Sequence, residues 1–416
     1  MKKFLTLILA FAFAACTTAE FRSGYDPYSG ILLPFTLEAD IPGLSQSVTF
    51  TVKNLQSGAS YSAESGAAGK AEFRLAAGLY SVHSEAIVDD YLWSYSADRI
   101  DVGATPSVKA AFIRVEPGDL LIKEVYCGGC KDSVEVFDST LMAYVKTLQT
   151  HQTDKYFILH NNCSETLYLD SLCFGTLSPA NATGNNKWLK YDDSGLRVYD
   201  DFVPVYQAVW QFGGGGADFP LAPGEDAVVC ICGAIDHTKL FPSSVNLNRS
   251  GYFVCYDEQQ FWNTNYHPVP GDQIQPSHIL SVVIKTGVAN GYTFSISSPT
   301  LVIFKAQGCT IQEFVQSDEV VIQEPGSNYD KVVKVPCSWV LDAMEVFDGS
   351  RSNNVKRLPP ELDGGCVYQA ETYLGVSLLR RRNEERSAEL GREVLVDTNN
   401  SSNDFYQSSK PTLRDE

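Results

Sequence analysis

The residues of this 416-residue chain best suited to chemistry are cysteines, and two of them, Cys127 and Cys130, stand in the motif CGGC. The motif follows an apolar strand pattern and precedes the segment 132–149, whose apolar spacing is compatible with a helix. Redox dithiols occupy such positions, but they also need a helix N-terminus and a cis-proline partner loop, which the sequence does not show. Three interpretations are open: a redox pair, a local disulfide, and thiols that are unpaired or paired elsewhere. We favour the third.

A zinc site is the second chemistry that the cysteines suggest, through Cys127, Cys130, Cys230 and Cys232. Such a site requires two strands to converge so that four thiolates form a tetrahedron. The Cys-x-Cys spacing places two thiols on one face of a strand, which equally suits a buried face. A cysteine nucleophile activated by His237 lacks any orienting motif. The sequence therefore predicts no metal, no cofactor and no catalytic residue.

The segment 397–405 (DTNNSSNDF) places oxygen-bearing side chains at alternate positions, as the first half of a calcium loop does. Ser402 and Ser408 stand where the calcium loop requires glycine and glutamate. Asn and Asp side chains also bond to their own backbone in turns, and we favour this structural interpretation.

Four residues of a proline-rich loop are the candidates for ligand binding: Phe261, Trp262, Tyr266 and His267. Exposed aromatic side chains in a loop make a platform for sugar rings or other flat ligands. The alternative, which we favour, is that these rings close the open end of a sandwich.

The first residues of the chain read as a leader. Lys2 and Lys3 precede twelve apolar residues (4–15) that end in two alanines. A run of this length is too short to cross about 30 Å of hydrocarbon as a permanent helix. Cys16 follows the small residues directly, which is typical of a lipoprotein, whose cysteine thiol takes a diacylglyceryl group. We therefore predict a lipoprotein signal peptide at 1–15, lipidation at Cys16 and a tether over 16–30. The alternative is an ordinary secretory leader.

Composition narrows the class of protein. Hydrophobic residues make up 44% of the chain, which is enough for a substantial core, and the formal net charge is −18. Such a charge is repelled by phosphate backbones, so we expect no nucleic-acid partner.

Strand patterns dominate the rest of the chain. Alternating segments such as 47–52 and 69–75 predict a small β-sandwich over 31–115. Short strands with recurrent turn signals predict a larger antiparallel sandwich over 116–416, with insertions, long loops and a C-terminal tail. Residues 132–149 are the one segment that could form a helix. We predict an all-β fold.

Two known folds resemble these parts. The segment ESGAAGKAEFRLAAGLYSV (64–82) is similar to the transthyretin-like or carboxypeptidase-regulatory sandwich. The segments LLIKEVYCGG, KYFILHNNCSETLYLDSLCFG, FPLAPGEDAVV and PTLVIFKAQG together resemble the lamin-tail domain, which implies an immunoglobulin-like sandwich. Two places depart from the lamin-tail pattern: Lys123, and Leu159 with His160.

The last eighty residues carry the most specific resemblance. VPCSWVLDAMEVFDG, KRLPPELDGG, YLGVSLLRRR and LVDTNNSSNDFYQSSKPTLRDE resemble the ends of lipoproteins grouped as domain of unknown function 4876. The resemblance implies a lipidated, two-part β protein with no assigned reaction, often placed beside an outer-membrane uptake receptor.

These observations favour a non-enzymatic lipoprotein of the outer membrane that acts as a binding or accessory module. Its expected partners are the membrane, through Cys16, and an outer-membrane receptor or surface protein. The alternative is a structural or adhesive surface protein that works through protein–protein contacts. Exposed apolar patches would favour contact, whereas a concave aromatic pocket would favour ligand capture. The sequence does not indicate which leaflet of the outer membrane holds the anchor or whether the protein faces the periplasm or the cell surface.

Overall fold

The predicted all-β fold is confirmed. The computed structural model describes residues 31–415 apart from positions 67, 90 and 194, and nearly all regular structure in that part is β-strand. The predicted leader and Cys16 lie outside the described residues. Among the helices of the described part, none has the length and apolar character to span a bilayer.

The first eight strands pair only among themselves. They are β1 (Leu32–Asp40), β2 (Thr49–Asn54), β3 (Ser60–Glu64), β4 (Lys70–Ala76), β5 (Leu79–Val88), β6 (Tyr91–Asp101), β7 (Ser107–Ala111) and β8 (Ile113–Arg114). One sheet has the order β4-β1-β7 and the other β3-β2-β5-β6-β8. In β4, buried Ala71, Phe73 and Leu75 alternate with exposed charged residues, so one face of the strand enters the core between the sheets.

Among its described residues, the second part contains twenty strands and three short α-helices. The strands are β9 (Leu120–Tyr126), β10 (Cys130–Asp138), β11 (Ala143–His151), β12 (Tyr156–Asn161), β13 (Leu167–Tyr168), β14 (Cys173–Leu177), β15 (Lys190–Tyr191), β16 (Arg197–Val198), β17 (Phe202–Gln211), β18 (Pro220–Leu221), β19 (Asp226–Cys230), β20 (Phe253–Cys255), β21 (Ile279–Lys285), β22 (Thr300–Phe304), β23 (Val321–Gln323), β24 (Lys331–Pro336), β25 (Val340–Asp348), β26 (Val367–Gln369), β27 (Leu378–Arg380) and β28 (Phe405–Gln407). The helices are α1 (Ile311–Phe314), α2 (Glu384–Leu390) and α3 (Ser401–Asp404).

A 14-stranded sheet organises this second part. Its order is β26-β25-β22-β14-β17-β21-β20-β19-β12-β9-β27-β28, with β24 pairing to β17 and β23 to β24. Every residue of β12, which lies between β19 and β9, is buried. Phe157 and Leu159 enter one hydrophobic cluster, while Tyr156 and Ile158 enter another. Because neighbouring residues of a strand face opposite sides, the sheet is covered on both faces here.

The segment 132–149, which the sequence suggested as a helix, is a β-hairpin, and this interpretation was wrong. Strands β10 and β11 pair antiparallel from Cys130↔His151 to Asp138↔Ala143. The apolar residues at 134, 137, 141, 144 and 148 fit a helical period, but the β-branched residues alternate as a strand requires. The Asp138 carboxylate accepts the backbone N–H groups of Thr140 and Leu141, which fixes the turn.

Candidate contact surface

The hairpin β10–β11 is the connection between β9 and β12, which pair with each other directly at Tyr126↔Tyr156. It forms a two-stranded sheet of its own, so no described strand pairs with its outer edges. We call residues 136–145 the hairpin tip. The tip projects beyond the paired strands from which it starts.

The hairpin tip exposes several large apolar side chains to solvent. Met142 is 75% exposed, Tyr144 72% and Leu141 64%. Val136 and Phe137 are exposed as well. A contiguous set of exposed large apolar side chains marks an interaction site more often than single exposed residues do.

Apolar side chains occupy both faces of the hairpin tip. In the register, Val136 stands opposite Val145 and Phe137 opposite Tyr144. Successive residues point to opposite faces, so the two pairs lie on different sides. The rings of Phe137 and Tyr144 meet edge to face with centroids 5.4 Å apart. Leu141 and Met142 add apolar surface at the turn.

The base of the hairpin is held by packing and hydrogen bonds. Cys130 and Val134 are buried against Phe241, and the His151 ring stacks on Phe241 with centroids 4.3 Å apart. The Asp132 carboxylate accepts from the backbone N–H of Ser243 at 2.8 Å and from its hydroxyl at 2.7 Å. The base is therefore fixed to the body while the tip extends from it.

A histidine pair joins the base to the loop that follows β19. His151 Nε2 lies 2.9 Å from His237 Nδ1, and His237 Nε2 lies 2.8 Å from the carbonyl oxygen of Gly233. His237 thus donates to Gly233 and accepts from His151. Burial lowers the pKa of both rings, although the Asp154 carboxylate works in the opposite direction. The pair is suited to the neutral form, in which each ring has one donor and one acceptor.

The CGGC thiols do not form a redox pair in this structure. The ten cysteines of the described part, Cys127 and Cys130 among them, are all unpaired. Cys127 donates to the side-chain oxygen of Gln369 at 2.9 Å, whereas Cys130 packs beneath the hairpin. Burial raises the pKa of each thiol to about 12, and Asp154 adds to the shift at Cys130. Thiolate nucleophiles are therefore disfavoured at neutral pH. The local disulfide is not present either.

The four thiols weighed for zinc are separated into three places. Cys127 and Cys232 belong to the cluster around β12, Cys230 faces the cluster on the other side, and Cys130 lies below the hairpin. The strand ends at Cys230, so Cys230 and Cys232 do not share a face. Among the described residues, the cluster with metal-ligand spacing contains no cysteine. Both nitrogens of His237 are engaged elsewhere, so it does not activate a cysteine.

The segment 397–405 uses its oxygens within the protein. Asp397 accepts the backbone N–H of Gly118 at 2.6 Å and a guanidinium N–H of Arg380 at 3.1 Å. The Asp404 carboxylate accepts the N–H and hydroxyl of Thr398. These contacts agree with a structural turn rather than a calcium loop.

The loop 261–267 is divided between core and surface. Phe261 and His267 are buried, and His267 bonds to the backbone of Cys255 and Tyr292. Trp262 is 60% exposed, with Lys285 Nζ 4.9 Å from its ring centroid. Tyr266 is half-buried against the core. Phe261 and His267 offer no face to a ligand because the core covers them, so Trp262 is the candidate that presents an open ring.

The two departures from the lamin-tail pattern meet in space, although no local sequence pattern indicates this contact. Lys123 Nζ lies 2.6 Å from Asp226 Oδ2 and 2.5 Å from Glu393 Oε2, and His160 Nδ1 lies 2.6 Å from Asp226 Oδ1. Burial opposes the charge of Lys123, but the two carboxylates raise its pKa overall. The spacing of His160, Asp226 and Glu393 resembles a metal site. The Lys123 ammonium already bridges both carboxylates, so the cluster is an ion network.

The structure thus defines an all-β protein whose projecting feature is an apolar hairpin. Residues 222–412 match the family described as Protein of unknown function (DUF4876), which confirms for that part the resemblance that the tail motifs indicated. The fold is similar to the crystal structure of a DUF4876 family protein from Bacteroides thetaiotaomicron VPI-5482, with TM-score 0.56, 23% identity, and coverage of 92% of this chain and 96% of that one. No curated protein matches the chain.

Proposed function

We propose that this protein is a non-enzymatic lipoprotein of the outer membrane that acts as a binding or accessory module through surface contact. The observation that carries the contact role is the hairpin tip, with Leu141, Met142 and Tyr144 open to solvent. Apolar surface left in water costs about 25 cal/mol per Å² relative to burial, so a contiguous patch is expected to have a partner that covers it.

The cavities support contact over capture of an apolar ligand. A depression of about 660 Å³ is lined by polar side chains such as Asn246, Asn248 and Asp272, together with Tyr252. The amide of Asn248 is already bonded to the Asp272 carboxylate at 2.9 Å. This depression therefore does not provide an apolar binding pocket, whereas the projecting hairpin exposes apolar side chains.

The anchor rests on the sequence around Cys16. Replacing its sulfur removes the site of acylation, so Cys16→Ser is expected to leave the protein outside the washed membrane fraction. Mass spectrometry of the native amino terminus gives the direct measurement. An unmodified Cys16, or a Cys16→Ser protein that stays with membranes as wild type does, contradicts the anchor.

The contact role is tested with Leu141→Ser combined with Met142→Ser. Both side chains lie in solvent, so the fold is expected to persist while the envelope contact is lost. The measurement is crosslinking in intact membranes followed by recovery in mild detergent. Tyr329→Ser is the matched control, because Tyr329 is 78% exposed on a different loop. Unchanged crosslinks in the double variant contradict a contact role for the hairpin.

The alternative function is a structural or adhesive surface protein, which the same exposed hairpin also favours. Adhesion requires that the hairpin face outward from the cell. Proteolysis of intact cells at the exposed Lys146, followed by loss of cell attachment, distinguishes adhesion from an accessory role inside the envelope.

A further inference from the structure

We propose that the hairpin tip enters the headgroup region of a lipid bilayer, so that the partner which covers it is a zwitterionic lipid surface. The proposal rests on the contact role of the hairpin stated above and names its occupant. It differs from the acyl anchor, because it assigns a second, reversible membrane contact to side chains of the fold.

Apolar side chains lie on both faces and at the end of the hairpin tip, so a partner that covers all of them must surround the tip. Val136 and Val145 lie on one face, Phe137 and Tyr144 on the other, and Met142 at the turn. A protein surface or an added strand covers one face or one edge of a hairpin. Lipid covers both faces and the end at once, which matches this arrangement.

Charge changes sharply along the hairpin. Residues 139–145 (STLMAYV) carry no charge. Asp138, which stands opposite Ala143, lies between the turn and the Phe137–Tyr144 pair, and its carboxylate is bonded to the backbone N–H groups of the turn. Glu135 and Lys146 are register partners two positions closer to the base than the Phe137–Tyr144 pair. Apart from Asp138, whose carboxylate is bonded within the turn, the hairpin therefore passes from an uncharged end through an aromatic pair to charged residues, which is the order found across a membrane interface.

The strand pairing limits how deeply the hairpin tip can enter the bilayer. The outer edges of β10 and β11 have no partner among the described strands, and unpaired backbone groups are not tolerated in the hydrocarbon core. Three residues from the turn to the Phe137–Tyr144 pair span about 10 Å, which is close to the immersion of about 5–10 Å typical of interfacial segments. The tip therefore dips into the interface without crossing it.

The number of residues between Cys16 and the described part limits how far the fold lies from a bilayer that holds the anchor. Cys16 stands fifteen positions before Ile31, and a fully extended segment of that length spans up to about 50 Å. A weak contact made within this reach is strengthened by the high effective concentration of the tethered partner. The formal net charge of −18 disfavours anionic lipid, so the contact is expected on zwitterionic lipid.

Depth-dependent quenching tests the proposal with the lipidated full-length protein in phosphatidylcholine vesicles. Met142→Trp places an indole at the tip, and Tyr329→Trp places one at a matched exposed position. Brominated phosphatidylcholine is expected to quench the emission of the Met142→Trp protein above the wild-type background and shift it to shorter wavelength. The Tyr329→Trp emission stays unquenched. Adding Leu141→Asp to Met142→Trp returns the emission to that of water-exposed indole.

Three results overturn the lipid assignment: no quenching in Met142→Trp, equal quenching in Tyr329→Trp, or crosslinks from the tip to a protein or a second copy without quenching. The last result leaves the contact role of the hairpin intact and replaces only its occupant. An unmodified Cys16 contradicts the acyl anchor whatever the tip does, so the two proposals fail separately.

Discussion

Three buried carboxylates depend on one guanidinium in the second part of the chain. Arg380 is buried and lies 2.6 Å from Asp342, 3.1 Å from Asp397 and 3.5 Å from Asp404. It also donates to the carbonyl oxygen of Ile122 at 2.8 Å. Burial raises the pKa of Asp342 and of Asp404 to about 7, although Arg380 opposes the shift.

Arg380→Met is expected to lower the free energy of unfolding by about 3 kcal/mol or more, because it leaves buried charge without a partner. Arg386→Met is the control; it removes an exposed ion pair to Glu389 and is expected to cost at most about 1 kcal/mol. The measurement is urea unfolding of both variants at pH 8.

The pH dependence of the same variant follows from the carboxyl groups. Asp342 and Asp404 have a pKa near 3.8 when unfolded and about 7 when folded, so the folded state binds more protons between these values. Stability from these groups is present below the unfolded pKa and is lost as pH rises through 7. The Arg380→Met defect is therefore smaller at pH 5 than at pH 8, and an equal defect at both contradicts the assignment.

At the scale of elements, the turn between β9 and β10 requires glycine. Gly129 has φ +67°, and a Cβ there would overlap the carbonyl oxygen of His151. Gly129→Ala is expected to destabilise more than Gly308→Ala, which shares the left-handed backbone (φ +76°) but meets no neighbour within 4 Å. The left-handed conformation alone costs about 1–2 kcal/mol. Thermal unfolding measures both, and equal losses would show that the overlap is relieved.

The histidine pair makes the hairpin base sensitive to acid. The pKa values of His151 and His237 in the folded protein lie below the ordinary 6.5. Just below pH 6.5 the two histidines therefore bind more protons in the unfolded chain than in the folded one. Stability from the pair is complete above about pH 6.5 and falls as the pH drops. Amide exchange in β10 and β11 is expected to accelerate from pH 7.5 to 5.5, after correction for intrinsic rates. The β2–β3 hairpin, which carries no histidine, is the control.

The elements were predictable to the extent that local pattern decides them. Alternation indicated β4 and β5 because each buries one face of a sheet. The hairpin was missed because its apolar residues also fit a helical period, and a single segment does not tell which face will be covered. The contact surface is unpredictable for the same reason: Met142 and Phe261 are both apolar loop residues, and only tertiary packing exposes one and buries the other. Likewise, the ion pair between Lys123 and Glu393 joins residues 270 positions apart, so no local sequence pattern predicts it.

At the scale of the whole molecule, the core of the first part is joined to the second part by polar contacts and by the side chain of Leu196, which packs against that core. The first core consists of residues from 35 to 112. Arg197 Nη1 lies 2.5 Å from Asp98 Oδ2, and Asn403 donates to the Glu85 carboxylate at 2.6 Å. The Arg197 side chain is almost fully buried, so the Asp98 pair is shielded from solvent.

Arg197→Met is expected to lower the unfolding temperature of the first part more than that of the second, because it leaves Asp98 without its cation at the junction. Calorimetry of the full chain is the measurement, with Arg99→Met as the control, since Arg99 contacts the ring and hydroxyl of Tyr191, a neutral partner. A single transition that moves as a whole would show that the two parts unfold together.

The position of β27 has a consequence for biosynthesis. This strand pairs with β9, and the backbone N–H of Thr412 donates to the Glu124 carboxylate at 3.0 Å. One edge of β9 thus pairs with residues that are synthesised some 250 positions later. A chain emerging in sequence order keeps that edge open until its final segment arrives. A chain truncated before β27 therefore leaves this edge of β9 unpaired, and an unpaired strand edge is a feature that promotes aggregation and proteolysis.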